Sequence, residues 1–268
     1  MMHHFIVIGN PISHSKSPAI HTAFAQSVGL NISYQRQFCP NDFDSFKAVI
    51  EAFFCGGGVG ANITLPFKEM AFDICQTHGL LSHHARSAGA VNTLMLKDGK
   101  LFGDNTDGRG LVADLNAHDI DLQGKKVAIL GAGGATRGAI LPLLESGADI
   151  FVYNRTPDKA KQLATDFHHQ ISPYPLSDLS GHFDVIINAT SATTTGQTLD
   201  LGSVSSDVAY DMMYGKPSAF LNHFKNAQQI DGFGMLINQA KLSFELWTAK
   251  QIDLTQENLI KSLIKIRQ

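Results

Sequence analysis

Cysteine is scarce: Cys39, Cys55 and Cys75 are the only three in 268 residues, they show no CxxC spacing, and an odd number cannot all pair. The chain therefore reads as a reduced, cytoplasmic protein without a disulfide framework. Long apolar runs are missing, so no segment is expected to cross a bilayer, and the hydrophobic stretch in MMHHFIVIGNP is too short for a signal peptide. Neither sign of charge dominates. With 21 basic against 24 acidic residues the net charge is −3, which gives no electrostatic reason to expect nucleic acid or an anionic membrane as a partner. Twelve histidines include the adjacent pairs His3-His4, His83-His84 and His168-His169 but no HExxH, so no metal is expected. The glycine run 56–58 lacks the GK[ST] of a phosphate loop and reads as a turn. No internal repeat or low-complexity tract appears. What is present is 44% apolar residues, enough for a real core in one large or two modest domains.

The chain is organised around KKVAILGAGGATRG, residues 125–138. A short apolar run, a cluster of glycines and a helix-forming stretch follow one another, as at the start of a dinucleotide-binding βαβ unit. Gly131 permits a tight turn, Gly133 and Gly134 let a pyrophosphate approach bare backbone, and the following helix offers its positive end to that charge. As GxGxxG the last position is Thr136, so the plain fingerprint is imperfect. Residues 149–153, DIFVY, read as the second strand. An NAD site commonly ends that strand with an acid on the ribose; here Asn154-Arg155-Thr156 follow, with Lys159 beyond. A guanidinium holds a 2′-phosphate where a carboxylate would repel it, so the expected cofactor is NADP.

In chain order, residues 5–8 form a short strand running into Gly9-Asn10-Pro11. Ser17 is a natural N-cap and Pro18 a natural first helical residue, with Gly29 ending the helix; Ser15 and Ser17 thus stand where a strand's end meets a helix's start. Residues 32–38 read as a strand, and Asn41 as the cap of a helix reaching Phe54. In GANITLPFK, residues 60–68, Asn62 and Thr64 share one face of a strand, and Lys68 opens a helix where its charge opposes the dipole. Residues 88–95 read as a strand carrying Asn92, and Asp98-Gly99 as a hairpin turn. GDNTDG, residues 103–108, leads into a helix that Asp107 can cap. Beyond Tyr153 the pattern predicts a helix at 157–167, strands at 183–189 and 208–212, helices at 218–229 and 235–250, and a last helix capped by Thr255. Alternating strands and helices argue α/β with mainly parallel sheets, split near 103–108.

Taken in order, NPISHSKSPAIH (10–21), GANITLPFK (60–68), GAVNTL (89–94), GDNTDGRG (103–110), GAGGATRG (131–138), NRT (154–156), NATS (188–191) and GFGMLINQA (232–240) resemble the shikimate dehydrogenase family. Its members are NADP-dependent enzymes that reduce 3-dehydroshikimate to shikimate. The resemblance implies a substrate domain at 1–106, with 239–268 packing back on it, and a Rossmann-type doubly wound NADP domain at 107–238. It implies Lys68 and Asp107 as the catalytic pair, and Ser15, Ser17, Asn62, Thr64, Asn92, Tyr214 and Gln239, with the pair itself, as substrate ligands. For the cofactor it implies Gly131, Ala132, Gly133, Gly134, Ala135, Asn154, Arg155, Thr156 and Lys159, with Thr190, Met212 and Gly232 along the nicotinamide side.

These residue types suit the chemistry. A polyhydroxylated acid calls for hydroxyl, amide and ammonium partners, and a ketone receiving hydride needs a proton, which a lysine can supply and an aspartate can orient. The chain departs from the family's pattern after NATS, where Ala192-Thr193-Thr194-Thr195-Gly196 replaces a small Ser/Gly-Gly segment, and at His83 and His84, where family members often carry an acid. The expected partners are small molecules only, with the chain acting as a monomer or homodimer. The alternatives are a quinate/shikimate dehydrogenase of broader substrate and cofactor range, a non-catalytic NADP-binding regulator and a lysine-using folate dehydrogenase. The second has no need of Lys68, Asp107, Asn92 and Gln239 together, and the third does not account for the paired serines of HSKSP.

Overall fold

The computed structural model describes residues 2–192 and 197–267. The departure after NATS thus falls largely on residues 193–196, outside the described residues. The chain forms two compact units, 1–106 with 237–268, and 107–236.

In the first unit β1 (His3–Gly9), β2 (Ile32–Phe38), β3 (Gly60–Ile63), β4 (Leu80–Leu81), β5 (Thr93–Lys97) and β6 (Lys100–Asp104) form one sheet, ordered β2-β1-β3-β5-β6-β4. The sheet is mixed: β1 runs parallel to β2 and β3, whereas β5 is antiparallel to β3 and β6. The central strand β1 is buried on both faces. Phe5 and Val7 pack with Ile12, Tyr34 and Trp247, while Ile6 and Ile8 enter a separate core with Phe46, Ile50, Ile63 and Phe67. That is the two-sided burial a strand flanked by helices requires. Trp247, on the helix Phe233–Thr248, donates its indole N–H to the Leu94 carbonyl at 3.0 Å and stacks on Phe5, which fastens the C-terminal part of the chain to this sheet.

The second unit holds β7 (Lys126–Leu130), β8 (Asp149–Asn154), β9 (Ser172–Pro175), β10 (His182–Asn188), β11 (Ser205–Asp211) and β12 (Gln228–Asp231), all parallel, ordered β12-β11-β10-β7-β8-β9. Counted from β7 this is the 3-2-1-4-5-6 order of a doubly wound dinucleotide fold, whose crevice opens beyond the carboxyl ends of β7 and β10, where the winding reverses.

Several local expectations need correction. Asp42, not Asn41, caps the helix Phe43–Cys55, its carboxylate accepting from Ser45 N at 2.8 Å. Ser17 makes no cap, because the chain is already in helical conformation at Lys16. Residues 88–95 are not one strand. Ser82 caps a helix His83–Ala88, Gly89 closes it in the left-handed region at φ 61°, and Asn92 stands just before β5. The helix expected at 218–229 spans only Ala219–His223, since Gln228–Asp231 pairs with the edge of β11. β9 was not expected at all.

Candidate active site

The crevice of the second unit is a cavity of about 610 Å³ lined by Gly131, Ala132, Gly133, Asn154, Arg155, Thr156, Lys159 and Thr190, among others. Gly131 sits at φ +106°, a conformation that a side chain makes costly, and the following turn feeds the helix Gly134–Glu145. No side chain caps that helix and no acid lies in its first turn, so its amide groups and positive end are left to a ligand. A methyl group built on Gly133 or Gly134 meets nothing within 4 Å, so the space in front of this backbone is open. Thr136, in the third fingerprint position, is fully buried and returns a hydrogen bond to the Gly131 carbonyl at 2.8 Å, which explains how the motif tolerates it. β8 ends in Asn154, whose amide is turned onto the Thr156 carbonyl at 2.8 Å, with Arg155 and Lys159 exposed beside it. These residues fit a dinucleotide with an added phosphate: a bare glycine turn, an uncapped helix end and two cations in place of an acid.

At the ends of β10 and β11 lies a buried polar cluster. The Asp211 carboxylate accepts from Asn188 Nδ2 at 3.1 Å, from Met213 N at 3.0 Å and from the Ser218 hydroxyl. Asn188 Oδ1 in turn accepts from both the amide and the hydroxyl of Thr190, at 3.1 and 2.7 Å. Met212 passes so close to Gly232 that a side chain there would strike its carbonyl oxygen. The segments carrying Thr190, Met212 and Gly232 are thereby fixed to the sheet. Tyr214 lies edge-on to Phe233 at 5.9 Å, and its phenol pKa is pushed up by burial.

In the first unit the expected residues gather beyond the carboxyl ends of β1, β3 and β6 and the start of β5. The Ser15 hydroxyl donates to that of Ser17 at 3.2 Å, and the Arg36 guanidinium holds the Ser15 carbonyl at 2.6 Å. Asn62 Oδ1 accepts from the Tyr34 hydroxyl at 2.7 Å, and Asn62 Nδ2 donates to the Asn92 carbonyl at 3.2 Å and to Ser243 Oγ at 3.1 Å. Asn92 Oδ1 accepts from Thr106 N at 3.0 Å and Thr93 Oγ1 at 2.8 Å, and its Nδ2 donates to Thr106 Oγ1 at 2.9 Å. Gln239 Oε1 stands 3.5 Å from both Asn92 Nδ2 and Thr106 Oγ1. Beneath lies His21, fully buried and stacked on Tyr34 at 4.4 Å; burial drives its pKa down to about 3, opposed by the Asn62 side chain. Lys68 opens the helix Lys68–His78, its carbonyl accepting from Val91 N at 2.9 Å, and Thr64 N donates to the Ile8 carbonyl at 3.0 Å. Asp107 begins the helix Asp107–Ala117 in the second unit.

Models of three protein families match successive parts of the chain: the shikimate dehydrogenase substrate binding domain at 7–94, shikimate / quinate 5-dehydrogenase at 113–200, and the shikimate 5'-dehydrogenase C-terminal domain at 232–256. A relative from Psychrobacter cryohalolentis, named shikimate dehydrogenase (NADP(+)), is 53% identical, covering 96% of both chains. The chain belongs to the shikimate dehydrogenase family. Among solved structures in this similarity range, an Ael1 enzyme from Pseudomonas putida is 34% identical with a TM-score of 0.90, covering 99% of this chain and 98% of its own. The shikimate 5-dehydrogenase of Thermus thermophilus, in complex with NADP(H) and shikimate, is 32% identical with a TM-score of 0.84, covering 99% of this chain and all of its own.

Seen as a shikimate dehydrogenase family member, the chain distributes its expected residues as follows. Asn62, Asn92 and Gln239 belong to one hydrogen-bonded network, and Ser15 and Ser17 to a hydroxyl pair. Gly131 to Gly133, Asn154 to Thr156, Lys159 and Thr190 line one cavity, whereas Gly134 and Ala135 form the helix turn behind it. The motif reading left without roles four residues that the structure makes central: Tyr34, Thr106, Ser243 and Asp211. Two of them carry a signal in the sequence: Asp211 ends β11, and Ser243 lies on the buried, mostly apolar face of its helix.

Proposed function

We propose that this chain is an NADP-dependent shikimate dehydrogenase, interconverting 3-dehydroshikimate and shikimate. The observation that carries the reading is the 53% identity to a protein of that name over 96% of both chains. Its cofactor half is supported independently by Arg155 and Lys159 lining the cavity where an NAD site would present an acid. On this reading residues 1–106 with 237–268 receive the acid, and residues 107–236 receive NADP, held by Gly131 to Ala135, Asn154 to Thr156 and Lys159, with Thr190, Met212 and Gly232 toward the nicotinamide. The bound cofactor supplies or accepts a hydride. The chain's residues do the rest. Ser15, Ser17, Asn62, Thr64, Asn92, Tyr214 and Gln239 orient the carboxylate and hydroxyls. The Lys68 ammonium delivers a proton to the carbonyl oxygen as charge develops there, and the Asp107 carboxylate orients and stabilises that ammonium. The enzyme works in the cytoplasm on small molecules alone, as a monomer or homodimer.

A second reading, quinate as an alternative substrate, is favoured by the family description matched at 113–200. The test is formation of NADPH or NADH followed by absorbance, with shikimate or quinate as substrate and NADP or NAD as acceptor. Turnover of shikimate with NADP at a kcat/KM at least tenfold above the other three combinations is expected. Comparable turnover of quinate establishes the second reading, and no turnover of either acid overturns both.

A further inference from the structure

We propose that Ser243 is a positioning residue for the substrate site, its hydroxyl holding the side chains of Asn62 and Asn92 in one hydrogen-bonded register. This rests on the reading of those two amides as ligands of the acid. Ser243 is fully buried on the helix Phe233–Thr248, one turn beyond Gln239. Its Oγ accepts from Asn62 Nδ2 at 3.1 Å, lies 2.7 Å from Thr93 Oγ1 and 3.4 Å from Thr106 Oγ1, and reaches the Gln239 carbonyl at 3.1 Å.

A hydroxyl has one proton and two lone pairs, so three partners saturate it and the four neighbours compete for it. Thr93 gives its proton to Asn92 Oδ1, so the single Ser243 proton is shared between Thr93 Oγ1 at 2.7 Å and the Gln239 carbonyl at 3.1 Å, and the Ser243 lone pairs face Asn62 Nδ2. Through Ser243, Thr93 connects the two amides by contacts of 3.1, 2.7 and 2.8 Å, whereas its direct contact with Asn62 Nδ2 is long, at 3.4 Å. Without that oxygen, Asn62 Nδ2 keeps only the Asn92 carbonyl at 3.2 Å and the long contact to Thr93 Oγ1 at 3.4 Å, so the amide is held mainly at its oxygen, by the Tyr34 hydroxyl, and its N–H₂ end is less firmly placed. A serine that merely satisfied the helix would need only the Gln239 carbonyl, as Thr248 does with the Phe244 carbonyl at 2.7 Å on the same helix.

The experiment compares steady-state kinetics of the full chain with Ser243→Ala, Ser243→Thr, Asn62→Ala, the double variant Asn62→Ala/Ser243→Ala, and Thr248→Ala as the back-bonding control. Trp247, the only tryptophan and buried in the same unit, reports by its emission whether that unit is folded. We expect Ser243→Ala to raise the KM for shikimate about 5- to 30-fold while the KM for NADP stays within twofold. Ser243→Thr should recover most of the loss, and Thr248→Ala should match the unaltered chain. In the Asn62→Ala background the Ser243 change should add less than twofold, because its effect passes through Asn62. A folded Ser243→Ala with unchanged KM for shikimate overturns the proposal. So does an equal rise for both substrates, full additivity with Asn62→Ala, or an emission spectrum of unfolded chain in both Ser243 variants. If the unaltered chain does not oxidise shikimate, it is the proposed activity that fails.

Discussion

His21 should make the stability of the first unit depend on pH in a window where carboxylates are silent. Its ring is fully buried between Tyr34, Phe24, Phe244 and Trp247, neither nitrogen makes a hydrogen bond of ordinary geometry, and its pKa falls from 6.5 to about 3. The sign follows from linkage. Below about pH 6.5 the unfolded chain binds a proton at His21 and the folded chain does not, so stability is fully present above that pH and is lost as pH falls toward 3. At about 1.4 kcal/mol per pH unit, the loss between pH 7 and pH 5 comes to about 2 kcal/mol. Urea unfolding followed by Trp247 emission measures it, since that indole sits 5.4 Å from the His21 ring. His21→Phe supplies the control: no hydrogen bond is lost, the aromatic packing is kept, and the titrating group is gone. The wild-type free energy should fall by about 2 kcal/mol from pH 7 to 5, and that of His21→Phe by much less. Equal slopes in the two proteins, or an NMR titration placing His21 near pH 6.5, would refute the argument.

Three further outcomes are expected. Lys68→Ala should lower kcat by about 10²–10⁴ with little change in the KM for shikimate, as for loss of a proton donor; a near-wild-type kcat removes Lys68 from the chemistry. Arg155→Asp should shift the ratio of kcat/KM for NADPH over NADH toward NADH by roughly tenfold or more, because a carboxylate replaces the guanidinium that lines the cavity beside Lys159; an unchanged ratio denies Arg155 the phosphate. Asp211→Asn keeps one oxygen but turns an amide N–H₂ either toward the Ser218 hydroxyl or toward the donors Asn188 Nδ2 and Met213 N, which bond the other carboxylate oxygen. It should cost the second unit about 1.5–3 kcal/mol and weaken NADPH binding measured by fluorescence titration, while shikimate binding measured alone by calorimetry is retained.

What could be read from the sequence was what local physics decides. The apolar run 127–130, its glycines and the absence of an acid after β8 announced the nucleotide crevice, and Asp98-Gly99 announced a hairpin whose two turn residues adopt φ 51° and 73°. The edges were not legible. Ser172–Pro175 carries two prolines, which argue against a strand except at an edge, and among the described residues β9 pairs only with β8. Gln228–Asp231, at the other edge of the same sheet, has one buried residue and no alternation to announce it. Ser17 looked like a cap because the N-cap preference is local, but the chain entered the helix one residue earlier and left its hydroxyl to Ser15. Ser243 and Asp211 act through partners 150 and 23 residues away, and no window of sequence contains those contacts.

The two units support their sites with different chemistry, and the difference decides what a pH–rate profile can report. The first unit's scaffold is a set of neutral amides and hydroxyls from Tyr34 to Thr106, laid over a histidine that burial keeps uncharged. Burial also pushes the Tyr34 phenol well above its ordinary value and the Cys75 thiol up to about 12, so neither ionises near neutrality. Between pH 6 and 9 this network of amides, hydroxyls and one buried imidazole therefore has nothing to titrate, and a limb of kcat against pH in that range arises outside it. Below pH 6 the two sources overlap, because protonation of His21 on unfolding removes active enzyme without altering the chemistry. His21→Phe separates them: an acid limb that persists in this variant at unchanged pH is chemical, and one that moves to lower pH was unfolding.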